Sequence, residues 1–311
     1  MILSVSRRTD IPSYYSEWFF NRIKDGFVLV RNPMNHHQVS RVSLSPDVID
    51  CIVFWSKNPK PMIERLDELK DYHYYFQFTL NSYAQDIEAG LPQKAEIIDT
   101  FKRLSDVIGP ERIIWRYDPI LLNSKYTINY HEENFEKIAQ RLRGYTEKVT
   151  ISFIDFYSKI TNNITALEIK EMDTKEKLQI AEKFSTIAKR YNLSIDTCAE
   201  DIDLSKFEIE HACCIDNRLI EKIIGYRLNV EKDKNQRLEC GCVASVDIGV
   251  YNSCLNECLY CYANYSKATV LVNNNKHNLN SPLLIGELSA EDKINNRTGK
   301  SNKIIQQSLF D

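Results

Sequence analysis

The chain has 311 residues, 43% of them apolar, enough to bury a substantial core in one large α/β domain or two smaller ones. Forty basic residues against 43 acidic ones leave a net charge of −3, which excludes a general attraction to nucleic acid but leaves room for a local basic patch. The first apolar run is five residues long before "SRRTD", too short for a signal-peptide core or a membrane span, so a cytoplasmic protein with no membrane association is expected.

Short β-rich runs alternate with amphipathic stretches from residue 1 to about 250, the pattern of a parallel sheet connected by helices. In chain order the expected strands are "ILSVS", "FVLVR" from Phe27, "CIVFW" from Cys51, "YYFQFTL" from Tyr74, "RIIWRY" from Arg112, "VTISFI" from Val149, "LSIDTC" from Leu193 and "SVDIGVY" from Ser245. Between them, Ile97, Phe101, Leu104 and Ile108 form one helical stripe, and Phe135, Ile138 and Leu142 another. Asp173 and Glu176 have capping-box spacing at the start of a third. The stretch 199–244 must hold a loop and a helix near 217–225, and "FEIEHACCI" within it would disturb the count if it supplied a ninth strand.

Eight strands over about 250 residues fit a (β/α)8 barrel, while an open doubly wound sheet has the same local pattern. Nearly every strand ends in polar or reactive residues, including "SRRTD", "SKNP", "TLN", "RYDP", "FIDF" and "CAED". A barrel gathers all such ends at one mouth, which favours the TIM-like barrel. The expected organisation is a single barrel over 1–263, including a cysteine loop at 253–263, and an asparagine-rich tail over 264–311 that wraps the surface or is partly disordered.

Nine cysteines, an odd number in clusters, point to metal or redox chemistry in a reducing compartment. Cys254, Cys258 and Cys261 have C-x3-C-x2-C spacing with Tyr260 before the last. Three thiolates suit a [4Fe–4S] cluster with one iron left for another ligand; a zinc site completed elsewhere, or three packed thiols, is the plainer alternative. Cys198, Cys214, Cys240 and Cys242 suffice for a second [4Fe–4S] cluster, with zinc or unligated thiols as alternatives, while Cys213 and Cys51 are expected to pack inside. Lys57, Asn58, Arg116, Asp118, Asp155 and Glu200 stand at strand ends as candidates for catalysis or substrate contact. Their plain alternatives are a turn at Asp118-Pro119 and rim ion pairs of Arg116 with Asp118 or Asp155.

"CLNECLYCYAN" resembles the cluster-binding motif of radical S-adenosylmethionine enzymes. More widely, "SVSRRTDIPSYYSEWFFNRI", "IVFWSKNPKP", "IIWRYDPILL" and "SVDIGVYNSCLNECLYCYANYS" are similar to the DUF1848 family, in which such a cysteine motif lies near the C-terminus. The resemblance implies that the open iron chelates the methionine amine and carboxylate of S-adenosylmethionine, whose reductive cleavage gives a 5′-deoxyadenosyl radical. It implies Tyr260 as a cofactor contact and a reducing partner such as ferredoxin or flavodoxin. It also implies a barrel circularly permuted relative to radical SAM barrels, with the cysteine loop's strand beside the first strand. "SRRTD" then occupies the place of the usual glycine-rich amine-binding motif. Arg7 or Arg8 would pair with the cofactor carboxylate and Asp10 with its amine, unless they form an internal ion pair or a helix cap.

The function expected is therefore a radical SAM-like enzyme with an unknown substrate; the alternative is an iron–sulfur or zinc protein of electron transfer or redox sensing. In the final "QQSLFD", Gln306, Ser308, Leu309 and Phe310 resemble the peptide by which bacterial partners bind the DNA sliding clamp, which would imply a DNA-repair enzyme. The alternative is a C-terminal anchor in which Leu309 and Phe310 pack on the barrel.

Overall fold

A computed structural model describes residues 1–297 and 299–304. Its strands are β1 (Ile2–Val5), β2 (Phe27–Asn32), β3 (Asn35–Ser43), β4 (Cys51–Ser56), β5 (Tyr74–Thr79), β6 (Ile113–Ile120), β7 (Lys148–Phe153), β8 (Ser194–Thr197), β9 (Glu210–His211), β10 (Val246–Asp247) and β11 (Lys293–Arg297). Eight of them form one parallel sheet in the order β10-β1-β4-β5-β6-β7-β8-β9.

Side chains alternate across a strand, so each β-rich run serves two environments. Leu3, Ile52, Phe54, Phe76, Phe78, Trp115 and Ile151 enter the larger core under the helices Lys94–Ile108, Ile128–Leu142 and Thr174–Arg190. Ile2, Cys51, Val53, Tyr75 and Ile114 face the other way and form a second cluster with Ile220 and Ile224 of the helix Asn217–Ile224. Further along this second face the residues are polar and still buried: Gln77, Arg116, Thr150 and Asp196. The sheet curls around this face, because Tyr75 Oη and Gln77 Nε2 on β5 donate to the Cys214 carbonyl at 2.7 and 2.8 Å, just beyond β9.

Three expectations about strands are corrected. "FVLVR" does not join the main sheet: a turn at Pro33-Met34 folds β2 back on β3, and these two form a separate sheet with β11. The run "FEIEH" supplies β9 instead, so the eight strands of the sheet are not the eight expected. "SVDIGVY" shrinks to two paired residues because the Asp247 carboxylate takes over the local bonding, accepting from Ser6 Oγ at 2.7 Å and from the amides of Arg7 and Gly249 at 2.9 Å.

No ladder joins β9 to β10 among the described residues, so the expected closed ring is absent from the strand pairings. The two edges are spanned instead by irregular chain around 212–216 and 240–243, where the Val243 amide donates to the Ile215 carbonyl at 3.1 Å and the Ile215 amide to Cys242 Sγ at 3.3 Å.

After the cysteine loop the chain forms the helix Lys267–Asn274 and then crosses the body, accepting from Trp18 Nε1 at Ser281 and from the Leu29 amide at Pro282 before β11 pairs with β3. Gln306, Ser308, Leu309 and Phe310 lie outside the described residues. Among the described residues no helix is long and apolar enough to cross a membrane.

Candidate functional site

The polar ends of β1, β4, β5, β6, β7 and β8 open on one cleft of about 430 Å³. Seven of the nine cysteines line it: Cys254, Cys258 and Cys261 on one side, Cys198 from the end of β8, and Cys214, Cys240 and Cys242 from the chain that spans the sheet edges. The C-terminal position of the first set is explained by pairing. β10 runs parallel to β1, with Leu3 beside Val246, so the loop that follows β10 emerges next to Ser6–Asp10.

That loop is shaped by hydrogen bonds rather than by an apolar core of its own. Asn264 Oδ1 accepts from the amides of Ser253 and Cys254 at 2.8 Å, while its Nδ2 donates to the Arg8 carbonyl at 2.9 Å and approaches Cys261 Sγ at 3.6 Å. Tyr15 Oη donates to the Ser253 carbonyl at 2.5 Å, and Thr9 Oγ1 shares a hydrogen with Ser253 Oγ at 2.6 Å. Gly90 packs so close that a Cβ there would lie 2.3 Å from the Leu255 carbonyl oxygen. Burial pushes the Cys254 thiol up to about 12 and Cys258 well above the ordinary range, so holding them as thiolates requires a compensating cation.

Asp10 ties the loop to β1 and β4. Its two oxygens accept from the Ser13 amide at 3.1 Å, Ser56 Oγ at 2.7 Å, the Lys57 amide at 2.8 Å and Asn256 Nδ2 at 3.0 Å. It caps the short helix Ile11–Tyr14, the plainer of its two expected roles. Arg8 donates to the Gly249 carbonyl at 3.5 Å and lies over Tyr251. Arg7 lies over Trp55, and the Coulombic neighbours that raise its pKa against burial include Cys242 and Cys214 of the other cysteine set.

The second set forms a row. Cys198 Sγ lies 3.1 Å from Cys214 Sγ, Cys242 neighbours Cys214, and Cys240 neighbours Cys242. Cys213 turns away half-exposed and does not line the cleft; its expected packing inside is not found, because Cys214 takes the inward position. Cys51 is buried in the second apolar cluster. Neither set brings three sulfurs within 4.8 Å of one another among the described residues.

Arg116 joins this row to the strand ends. Its Nη1 donates to Cys214 Sγ at 2.8 Å and its Nε to Asp118 Oδ2 at 2.9 Å, and Ser152 Oγ donates to Asp118 Oδ1. Of the two partners considered for Arg116, Asp118 is the one found; Asp155 pairs with Arg237 at 2.7 Å instead. Glu200 accepts from the Phe153 amide at 2.8 Å and is not part of the cleft lining; burial lifts its carboxyl to about 7.

Several residues that shape the cleft were not marked by sequence. Glu88 is buried, and although burial alone would raise its pKa, Lys57 and Lys94 bring it down to about 2. Tyr260 Oη donates to the same carboxylate and accepts from Asn81 Nδ2 at 3.1 Å, so Lys57 and Tyr260 are held by one acid. Glu88 lies in a polar stretch with no motif, and nothing in the sequence marked it. Asn256 and Asn264 stood inside the cysteine motif, and their polarity there was the available signal; Asn256 is buried and Asn264 partly buried. Asn58 does not reach the cleft lining.

The fold and site define an α/β protein whose parallel sheet carries seven cysteines around one cleft. A family model described as a domain of unknown function, DUF1848, matches residues 2–263, and the chain belongs to that family. No curated protein and no solved structure matches it.

Proposed function

We propose that this chain is a radical SAM-like enzyme whose Cys254, Cys258 and Cys261 hold a [4Fe–4S] cluster beside S-adenosylmethionine. The carrying observation is that these three cysteines share one cleft with the polar ends of six parallel strands. The donor set fits the group: three soft sulfur ligands, of which Cys254 and Cys258 are buried enough to need a cation. When bound, the cluster supplies the electron for cleaving the cofactor, and the cofactor carries the radical chemistry.

The chain's own residues bind, orient and enclose. Asn264 sets the loop, and Asp10, with its oxygens engaged, positions the loop against β4 rather than recognising the cofactor amine. Arg7 or Arg8 remains the group for the cofactor carboxylate. Tyr260, fixed by Glu88, keeps the aromatic place of the motif. Arg116 and Asp118 form the substrate side with Lys57, and Asp155 with Arg237 closes the rim. Cys198, Cys214, Cys240 and Cys242 are assigned to a second cluster. A permuted barrel is the architecture this reading implies, with β10 in the place of the usual first strand. Ferredoxin or flavodoxin would be the reductant.

The test is anaerobic reconstitution followed by reduction with S-adenosylmethionine present. The expected product is 5′-deoxyadenosine, and the alanine triple variant at Cys254, Cys258 and Cys261 should lose that cluster's iron and the product together. Full iron in the triple variant overturns the ligand assignment. An intact cluster with no product and an electron paramagnetic resonance spectrum indifferent to the cofactor would make the protein an electron carrier.

A further inference from the structure

Three aromatic rings beside the cleft, Tyr157, Tyr262 and Tyr265, are 38–40% exposed. They belong to one surface. Tyr157 and Tyr262 approach with ring centroids 5.4 Å apart, and Lys159 Nζ lies over both Tyr251 at 5.3 Å and Tyr265 at 5.0 Å. Arg8 covers Tyr251 from its other neighbour, at 5.0 Å. Tyr157, Tyr262 and Arg8 also line the cleft, so the aromatic surface continues from outside to inside.

The charges along this path are unequal. The acids near the mouth already have cations: Asp155 has Arg237, Asp118 has Arg116, and Glu257 has Lys267. Among the described residues, no carboxylate oxygen lies within the 4.0 Å ion-pair distance of the side-chain nitrogens of Arg7, Arg8 or Lys159, although the Asp247 carboxylate accepts from the Arg7 amide at 2.9 Å. Deeper in the cleft, Arg7 Nη2 and Trp55 Nε1 are buried donors without a hydrogen-bond partner. Buried donors are normally satisfied, so two in one cleft call for an acceptor brought by a ligand.

Flat rings interleaved with free cations, leading to unpaired donors, match a ligand that alternates planar bases with anions. We propose that the cleft takes a single-stranded nucleic acid, with bases stacking on the tyrosine rim and phosphates met by Lys159 and by whichever of Arg7 and Arg8 the cofactor carboxylate does not occupy. This names a substrate class for the radical SAM reading and rests on that reading for its purpose, though not for its measurement. An acidic protein matches the cations equally well, but a folded surface cannot follow Tyr157 and Tyr262 into the cleft.

Binding of a fluorescent oligothymidylate of about 12 nucleotides to the cluster-loaded full chain, without cofactor or reductant, tests it. The strand should bind, more weakly as salt rises, and better than duplex, thymidine monophosphate or base-free polyphosphate. Tyr157→Ala, outside the cysteine loop, and the pair Tyr262→Ala with Tyr265→Ala should each weaken binding about tenfold. The corresponding phenylalanine variants should keep it, and Lys159→Gln should lower the salt dependence. Absent binding, equal competition by duplex, monophosphate or polyphosphate, equal loss in the alanine and phenylalanine variants, or displacement of the strand only by an acidic protein overturns the proposal. Cofactor cleavage without strand binding would sink this inference alone; strand binding without cleavage would sink only the enzymatic reading.

Discussion

Arg116 Nη1 lies 2.8 Å from Cys214 Sγ, so a buried guanidinium on β6 meets a thiol on the chain that spans the sheet edges. The same guanidinium pairs with Asp118. Removing it strands a carboxylate in a poorly hydrated place, which costs about 3 kcal/mol or more. Arg116→Met should therefore lower the urea midpoint sharply, and Arg116→Met with Asp118→Asn should recover part of the loss. A double variant no more stable than the single one would show that the pair contributes packing rather than charge balance.

A pH effect is expected from the other face of β6. His131 is fully buried, its Nδ1 and Nε2 each 2.8 Å from Tyr117 Oη and the Leu121 carbonyl, and burial lowers its pKa to about 4. The folded protein thus disfavours the protonated ring relative to the unfolded chain, whose histidine titrates near 6.5. Below that pH the unfolded state binds more protons, and stability falls as pH drops from about 6.5 to about 4, by roughly 3 kcal/mol in all. Urea titrations of wild type and His131→Gln should converge over this interval. Parallel curves would assign the acid sensitivity elsewhere.

Sequence reading carried far where one periodicity governed one environment. Ile97, Phe101, Leu104 and Ile108 are all buried on the helix Lys94–Ile108, and the Asp173–Glu176 capping box is formed. It failed where the local pattern is the same for different partners. "FVLVR" has the composition of a sheet strand whether it pairs with β1 or folds back on β3, and β3 itself, "NHHQVSRVS", is too polar to announce itself. The cysteines were legible as two sets, but their meeting in one cleft depends on contacts between distant segments. Ala212 bonds back to Thr197, and Val243 to Ile215. Glu88 illustrates the remaining gap: its importance comes from Lys57, Lys94 and Tyr260, which no sequence spacing connects.

The row from Cys198 to Cys240 predicts a separable iron content. With two clusters the reconstituted protein should hold about eight irons, and serine at Cys198, Cys214, Cys240 and Cys242 should leave about four. Cofactor cleavage then reports whether the second set is needed for the first step. Unchanged iron in the quadruple variant, or stoichiometric zinc in wild type purified anaerobically, would remove the second cluster from the account.

Asn264 offers the sharpest test of how the loop holds its cysteines. Its Oδ1 receives two amides at 2.8 Å, and its Nδ2 reaches both the Arg8 carbonyl and the neighbourhood of Cys261 Sγ. Asn264→Ala leaves the Ser253 and Cys254 amides without that acceptor, at a cost of about 1–3 kcal/mol. The loss falls on the loop, because β10 and β1 are paired independently of it. The body should therefore keep its far-ultraviolet spectrum while a chelator strips iron from the variant several-fold faster than from wild type. Asn264→Asp retains the acceptor but loses the donor, and adds a negative charge beside Cys261. It should fold at least as well as the alanine variant and still release iron faster than wild type. Iron release at the wild-type rate in both variants would mean that the cysteines are not held in place by this side chain.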